Sequence, residues 1–296
     1  MGFANNFRYL LQHPITRRDR LRAVGRWLRW QSGSRLLGNA VICDWVGDVR
    51  FIARRGEAGL TGNIYCGLHE FPEMGFLLHF LRAGDLFVDV GANVGSYSLL
   101  AGGVVGAQGI AFEPVPETFE RLTDNIRLNR LDGVVHCRRC AVGSSPGSIA
   151  FTSKQNTMNR AVAPGEVCDS SVKVEVVDLD SALGGANPVL MKVDVEGFES
   201  EVIRGAASVL ARSSLKAVIM EINGSGELYG VRDDFIVKRM LDLGFKILRY
   251  EPFARSLMPL ETTSVAGANA IFVRDENFVA ARVAQAPQFD ILGVRV

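Results

Sequence analysis

The sequence predicts an α/β fold, built as a doubly wound and mostly parallel sheet, on three observations. Short apolar runs of strand length alternate with helical patterns between Phe71 and Glu221. The run Leu86–Val90 is apolar almost throughout, as is typical of strands that are buried on both faces of a parallel sheet. A glycine turn joins this run to an apolar helix, which is the strand–turn–helix unit that begins many such sheets.

The segment 16–31 is predicted to form a basic amphipathic helix ahead of the sheet. Leu21, Val24 and Leu28 follow helical spacing among arginines. One interpretation is a contact with an anionic surface or membrane. The other is a helix that docks on the protein by this apolar side and leaves its arginines in water.

Two short strands are expected within residues 41–53, and the sheet elements follow them. The predicted helices are 74–81, 97–100, 116–129 and 199–210, and the predicted sheet strands are 86–90, 109–112, 134–142, 189–193 and 217–221. An inserted strand pair (148–153 and 172–177) and a closing antiparallel hairpin (246–250 and 270–274) complete the prediction. We therefore divide the chain into a basic extension, residues 1–64, and a main domain, residues 65–296.

Composition narrows the class of protein. The chain has 296 residues, 48% of them hydrophobic, and a net charge of +1, which argues against a disordered chain and against a general nucleic-acid binder. The charge is uneven, because residues 1–55 hold eleven arginines against three aspartates. The five cysteines, an odd number, and the lack of a signal-peptide pattern favour the cytoplasm. No apolar run has the length of about 18 residues that a membrane-spanning helix needs.

The glycine turn after strand 86–90 indicates the kind of ligand. A dinucleotide fingerprint has two further glycines where this sequence has Asn93 and Ser96. The side chain of Asn93 would stand where a pyrophosphate approaches, so a nucleoside ligand without phosphates fits better. Glu113 ends the next strand, 22 residues after Gly91, near the offset at which an acid binds ribose hydroxyls.

Three segments together resemble a known family. The runs FVDVGANVGSYSLLA, IAFEPVPETFERLTDNIRLN and MKVDVEGFESEVIRGA are similar to the S-adenosylmethionine-dependent methyltransferases of the FkbM-like family. The resemblance covers residues 65–274 and implies a Rossmann-like class I methyltransferase fold with seven strands. It also implies O-methylation of a hydroxyl, often on a sugar or a polyketide. The cofactor contacts expected on this basis are Glu70, Asp89, Gly91, Ala92, Asn93, Gly95, Glu113, Pro114, Ala141 and Asp194.

Charged residues alternate at the end of the strand 189–193. Because they alternate, Lys192, Asp194 and Glu196 are expected to point to one face, toward the cofactor. Methyl transfer needs an aligned acceptor and a group that removes the hydroxyl proton. We expect Asp194 to position the acceptor or take its proton, with Glu196 in support. The alternative is that these acids cap the next helix and pair with Lys192.

His69 is a second candidate base, because histidine is suited to proton abstraction near neutral pH. Glu221 and Asn223 end a neighbouring strand and, with Asp194, could bind substrate or a divalent ion such as Mg²⁺ or Ca²⁺. No spacing is diagnostic of a metal, so no metal ligands are assigned. Tyr65, Tyr229 and the loop 154–160 are expected on the acceptor side.

The leading function is an O-methyltransferase for a saccharide, a glycan or another secondary metabolite. A non-catalytic S-adenosylmethionine-binding module that recruits a partner is an alternative, and Asn93 disfavours a third candidate, a nicotinamide-dependent reductase. No nucleic-acid partner is expected, and a homo-oligomer is left open. The expected location is the cytoplasm, with peripheral contact to the inner face of an anionic membrane through the basic helix.

Overall fold

The computed structural model describes residues 3–36, 40–55, 57–153, 159–163, 165–168, 170–260 and 268–296. Its helices are α1 (Phe3–Gln12), α2 (Arg20–Leu36), α3 (Ala58–Cys66), α4 (Phe71–Phe80), α5 (Ser96–Leu99), α6 (Pro116–Leu128), α7 (Leu179–Leu183), α8 (Glu199–Arg204), α9 (Ala207–Ala211), α10 (Asp233–Asp242) and α11 (Glu276–Ala284). Its strands are β1 (Ala40–Asp44), β2 (Arg50–Arg54), β3 (Leu86–Val90), β4 (Gln108–Phe112), β5 (Val135–Arg138), β6 (Ala141–Val142), β7 (Gly147–Thr152), β8 (Ser171–Val177), β9 (Leu190–Val193), β10 (Ala217–Ile222), β11 (Lys246–Glu251), β12 (Ser256–Pro259), β13 (Ala268–Val273), β14 (Asp290–Ile291) and β15 (Val294–Arg295).

The main sheet has the strand order β12-β11-β13-β10-β9-β3-β4-β5. The five strands from β10 to β5 are parallel, whereas β13 runs antiparallel between β10 and β11. The predicted doubly wound sheet and its antiparallel closing pair are thus confirmed. The strand count of seven was wrong by one, because the short β12 lies in a stretch expected to be a loop. Strand order reverses between β3 and β9, where such sheets bind ligands.

Two predicted elements are divided in the structure. Residues 134–142 form β5 in the main sheet and then β6, which pairs with β8 in a separate three-stranded sheet. The helix expected over 199–210 is interrupted between α8 and α9. A Cβ atom on Gly205 at this break would lie 1.9 Å from the carbonyl oxygen of Gly143. The two backbones therefore touch, and a continuous run of larger side chains does not fit there.

Apolar side chains alternate between the two faces of the main sheet. Phe87 and Ile219 point to the side covered by α4 and α11. Val88 and Met220 point to the opposite side, which is covered by α8, α9 and α10. All four side chains have 0% exposure. Burial on both faces explains why these strands read as continuous apolar runs rather than as alternating ones.

The predicted pair β1–β2 is confirmed, and it packs on helix α6. Asn125 Oδ1 accepts a hydrogen bond from the Ile52 amide and Asn129 Oδ1 accepts one from the Arg50 amide, both at 2.8 Å. Phe51 is buried in a cluster with residues of α5 and α6. Residues on both sides of position 64 therefore share a core, and the proposed division into extension and domain stays a prediction.

Helix α2 docks by a different face from the one its leucines predicted. Trp27 and Trp30 are buried at 8% and 7% exposure, whereas Leu21 and Leu28 are 88% and 54% exposed. The interpretation in which the leucine side docks on the protein was therefore wrong. Tryptophan buries more apolar surface than leucine, which accounts for the choice of face.

None of the helices in the described ranges combines the length and the apolar character needed to cross a membrane.

Candidate active site

The turn after β3 brings the backbone against the ends of two neighbouring strands. Gly91 (φ +78°) and Asn93 (φ +53°) are left-handed, a conformation that glycine and asparagine tolerate best. A Cβ atom on Gly91 would lie 1.8 Å from the carbonyl oxygen of Asp194. The Gly91 and Ala92 amides both donate to the Phe112 carbonyl, at 3.0 and 2.9 Å. Gly91 thus serves the contact between β3 and the end of β9 as well as the turn.

The carboxylate of Glu113 holds this turn from the end of β4. Its Oε2 accepts from the Asn93 amide and its Oε1 from the Val115 amide, each at 3.0 Å. The side chain is 6% exposed, and burial raises the pKa of Glu113 to about 7. Because each carboxylate oxygen offers two acceptor positions, the bonds to the turn leave capacity for a ligand hydroxyl.

Two adjoining clefts lie at this end of the sheet. Both clefts are lined by Gly91, Asn93 and Asp194. The first cleft also includes the predicted residues Glu113, Pro114, Ala141 and Glu196. The second also includes His69, Glu70, Asp89 and Ala92.

Gly95 is the predicted contact residue that neither cleft includes. It precedes α5 with φ +95°, and a Cβ atom there would lie 2.7 Å from the Leu122 side chain on α6. In this structure the glycine serves helix packing. Its part in binding a ligand stays a prediction.

Lys192 and Asp194 form a buried ion pair. Lys192 is 4% exposed, and its Nζ lies 2.6 Å from Asp194 Oδ2 and 4.8 Å from the Tyr97 ring centroid. Burial alone would lower the pKa of Lys192, but the carboxylates of Asp194, Glu70 and Asp89 hold it above its usual range. The ammonium stays charged and orients Asp194, so the pairing considered from the sequence is observed.

Glu196 lies near Asp194, but the two residues do not alternate along a strand. Strand β9 ends at Val193. Glu196 itself is left-handed at φ +55°, and Gly197 follows at φ +103°. One oxygen each of Asp194, Glu196 and Glu221 then lies within 4.8 Å of the others. Burial, followed by the charge of Asp194, raises the pKa of Glu196 to about 7 and that of Glu221 well above its usual range.

These three carboxylates are the only group with the spacing of a metal site within the ranges that the structure describes. Two of them, Asp194 and Glu221, match the sequence suggestion. The third suggested residue, Asn223, instead accepts a hydrogen bond from the Ser225 amide at 2.9 Å. Carboxylate groups of this kind also occur without an ion, and the divalent cation stays a prediction.

Glu199 was not singled out from the sequence. Its Oε1 accepts from the Val195 and Gly197 amides at 3.0 and 3.3 Å, and it is 2% exposed. Glu199 therefore holds the turn that precedes α8, and the side-chain cap offered as an alternative for Asp194 and Glu196 is not observed at this helix. Its place in the first turn of α8, where acids are favoured, was the available signal.

The second cleft contains an unsatisfied acid. Asp89 is 1% exposed; its Oδ2 accepts from the Ser98 hydroxyl at 2.7 Å, while its buried Oδ1 has no hydrogen-bond partner in the described structure. Glu70 accepts from the Tyr97 hydroxyl at 2.6 Å and from Asn269 Nδ2 at 2.9 Å. A buried acceptor without a partner is costly, which indicates that a donor group binds there.

His69 lines the second cleft. Its Nδ1 is buried without a hydrogen-bond partner in the described structure, and a Cβ atom on Gly62 would lie 2.4 Å from it. The His69 amide donates to Asn63 Oδ1 at 2.7 Å, which fixes the segment. Burial lowers the pKa of His69, so the ring is neutral near pH 7 and able to accept a proton.

The residues expected on the acceptor side lie in different places. Tyr65 faces α2, where its hydroxyl accepts from Gln31 Nε2 at 3.1 Å, so its assignment to the acceptor wall is not supported. The Tyr229 ring packs edge-on against Phe198 at 5.5 Å, behind a residue that lines the first cleft.

The polar insertion contributes to the first cleft. Phe151 of β7 and Asn159 line it, and the sequence had not singled out Phe151. Residues 154–158 of the expected loop lie outside the described residues. An alternating strand gives no sign of which residue faces a neighbouring cleft, so Phe151 carried no signal.

Comparisons with known proteins point to one family. The family model of the methyltransferase FkbM domain matches residues 89–247. The chain is 33% identical over 150 residues to the hexuronic acid methyltransferase AglP of Haloferax volcanii, which covers 50% of this chain and 59% of that protein. It is 29% identical over 159 residues to the methyltransferase sdnD of Sordaria araneosa, covering 42% and 61%. The chain thus spans about three fifths of the length of these curated relatives.

Among solved structures, the putative transferase PH0793 from Pyrococcus horikoshii aligns with a TM-score of 0.43 at 13% identity, covering 80% of this chain and 72% of that one. The family model extends over more than half of the chain, from Asp89 in the glycine-turn strand to the start of β11. It includes the turn, Glu113 and the Asp194–Glu199 segment. The chain belongs to the FkbM methyltransferase family.

Proposed function

We propose that the protein is an S-adenosylmethionine-dependent O-methyltransferase whose acceptor is a hydroxyl of a saccharide or another secondary metabolite. The observation that carries this proposal is the unsatisfied Oδ1 of Asp89, in a cleft that also holds Glu70 and Asp194. Three carboxylates line this cleft together with one lysine, Lys192, and this excess of negative charge favours a cationic ligand. S-adenosylmethionine fits such a cleft, because its ammonium group can donate a hydrogen bond to Asp89 and its sulfonium adds a second positive charge.

The residues present suit each part of that cofactor. Glu113 has free acceptor capacity for ribose hydroxyls, and Asp89 with Glu70 would bind the ammonium group. Pro114 and Ala141 supply apolar lining in the first cleft for the base. When bound, the cofactor supplies a methyl group on a positively charged sulfur.

Asp194 lines both clefts and is proposed to act on the acceptor. Its carboxylate, oriented by Lys192, holds the acceptor hydroxyl and takes its proton. Glu196, which has a carboxylate oxygen within 4.8 Å of one of Asp194, supports it in this role. The side chain of Asp194 is 28% exposed, which leaves it accessible to an acceptor.

The acceptor class follows from the relatives and from the lining. One relative is named a hexuronic acid methyltransferase. Carboxylates and the amide of Asn159 in the first cleft are hydrogen-bonding groups suited to a polyhydroxylated ring. We therefore place saccharide hydroxyls first among acceptors.

The proposal is tested first by calorimetry with S-adenosylmethionine and with NAD, and then by transfer of labelled methyl groups into host glycan and metabolite fractions. We expect S-adenosylmethionine to bind, NAD not to bind, and label to enter a hydroxyl, identified by mass spectrometry. Binding without transfer to any fraction would support the recruiting module instead. NAD binding would support the reductase.

Glu113→Gln is expected to weaken S-adenosylmethionine binding about tenfold or more, because hydrogen bonds to a charged carboxylate are worth about 1.5–3 kcal/mol. Isothermal titration measures the change. The matched control is Glu120→Gln, at an exposed position on helix α6. This variant should bind S-adenosylmethionine as the wild type does. Equal affinity of Glu113→Gln and wild type would remove Glu113 from the cofactor site.

His69→Ala tests the second candidate base through the pH dependence of kcat. If His69 accepts the proton, the wild-type rate rises with pH through its lowered pKa and is flat above about pH 6.5. The variant then loses this rise and about a hundredfold or more in kcat. A variant with the wild-type profile would exclude His69 as the base and leave Asp194.

Removal of divalent cations by a chelator tests whether the Asp194, Glu196 and Glu221 carboxylates hold a metal ion that the reaction needs. We expect dialysis against EDTA to leave the methyl-transfer rate within about twofold, because Lys192 already compensates Asp194. A rate that is lost and then restored by Mg²⁺ or Ca²⁺ would instead assign Asp194, Glu196 and Glu221 to a divalent cation.

The proposed location is the cytoplasm. The five cysteines of the sequence, an odd number, favour a reducing compartment. Contact of the basic helix with an anionic membrane surface, and self-association, stay predictions.

A further inference from the structure

Helix α2 has an apolar row that faces away from the protein. Leu21, Leu28 and Leu36 are 88%, 54% and 84% exposed. Leu21 and Leu28 lie almost in line, since seven residues are close to two helical turns, and Leu36 lies within a quarter turn of both. The row extends about 22 Å along the helix. The opposite face is occupied by buried Trp27 and Trp30, so the leucines are not needed for folding contacts.

Exposed arginines flank this row. Arg22 and Arg29 each follow a leucine of the row by one residue and lie along one side, and Arg20 and Arg35 lie on the other side. All four are exposed. Asp19 is the single acidic residue in the sequence from 1 to 36. The outer face is thus an apolar stripe between two cationic borders.

We propose that this outer face of α2 is a docking surface for an anionic lipid bilayer. The leucines would enter the boundary between headgroups and acyl chains, and the arginines would meet lipid phosphates. A nucleic acid would use the arginines but gain nothing from exposed leucines between them, so the combination favours lipid. The proposal does not depend on methyl transfer, because docking can be measured without cofactor or acceptor.

The segment that carries α2 is connected to the second cleft. Arg26 donates to the Tyr65 carbonyl at 3.0 Å, and Gln31 binds the Tyr65 hydroxyl. His13, which follows α1, is 2.8 Å from the Leu68 carbonyl through Nε2. These contacts connect the amino-terminal helices to the segment that ends in His69, which lines the second cleft.

The test is co-sedimentation of the full chain with vesicles of phosphatidylcholine and phosphatidylglycerol in equal parts, and with phosphatidylcholine alone. We expect binding to the anionic vesicles only, weakened by salt. Combined Arg22→Gln, Arg29→Gln and Arg35→Gln should weaken it about a hundredfold, at about fivefold for each arginine. Combined Leu21→Gln, Leu28→Gln and Leu36→Gln should weaken it about tenfold or more.

A matched control removes three exposed arginines elsewhere, with Arg127→Gln, Arg232→Gln and Arg249→Gln, and should bind vesicles as the wild type does. Circular dichroism and thermal unfolding verify that each variant is folded. The proposal is overturned if the wild type does not prefer anionic vesicles, or if the control loses as much binding as the α2 variants. Binding to RNA that depends on the arginines and not on the leucines, without vesicle binding, would assign the surface to nucleic acid instead.

Discussion

Gly91→Ala is expected to abolish binding of S-adenosylmethionine and to lower the free energy of unfolding by about 3 kcal/mol. Two costs add at this position. The left-handed backbone at φ +78° costs about 1–2 kcal/mol for a residue with a Cβ atom. That atom would also lie 1.8 Å from the Asp194 carbonyl oxygen, so β3 and the end of β9 must separate, at a cost typical of overpacking, about 1–3 kcal/mol.

Gly84→Ala separates these two costs. Gly84 has a similar backbone, φ +82°, but a Cβ atom there would meet nothing within 4 Å. We expect this control to lose only the conformational cost, about 1 kcal/mol, and to keep full cofactor affinity. Urea denaturation and isothermal titration measure both quantities. Equal losses in the two variants would mean that the contact between Gly91 and Asp194 contributes nothing specific.

Asp194→Asn is expected to lower kcat of methyl transfer about 10²–10⁴-fold, the range typical of a lost general base. The asparagine keeps the shape of the side chain but cannot take the acceptor proton. It also leaves the buried ammonium of Lys192 without its ion-pair partner, 2.6 Å away in the wild type. Cofactor affinity should fall less than kcat, by about tenfold at most, because Asp89, Glu70 and Glu113 remain.

The measurement therefore compares kcat, the dissociation constant of S-adenosylmethionine and thermal unfolding in the same variant. Asp242→Asn, at an exposed position at the end of α10, is the control for removal of a negative charge. Full turnover with unchanged cofactor affinity in Asp194→Asn would end the catalytic assignment. A fall in the melting temperature together with unchanged kcat would leave Asp194 a structural role only.

The parts of the fold that were predictable are those with a local physical cause. Leu86–Val90 was predicted to the residue, because a strand buried on both faces is apolar at nearly every position, here at all but Asp89. The Gly91 turn was predictable because glycine lets the backbone approach a ligand closely. Glu113 was predictable because an acid at this offset binds ribose hydroxyls. In contrast, β12 was missed because four residues, Ser256–Pro259, at the edge of a sheet carry no periodic signal.

The residues that form the site were more predictable than their arrangement in space. Asp194 and Glu196 do lie together, but strand alternation was the wrong reason, because β9 ends at Val193 and a left-handed Glu196 turns the chain back. The docking face of α2 was misassigned because helical spacing shows that leucines share a face without showing what covers it. Trp27, on the opposite side, decided the orientation through tertiary packing.

The position of β13 has a consequence for the order in which a newly synthesised chain can become active. The strand lies between β10 and β11, so the pair β11–β12 is not joined to the rest of the main sheet until residues near 273 have left the ribosome. The same strand supplies Asn269, which donates to Glu70, a residue 199 positions earlier in the chain. The second cleft is therefore completed late, and a nascent chain that already contains the glycine turn would still lack a finished cofactor site.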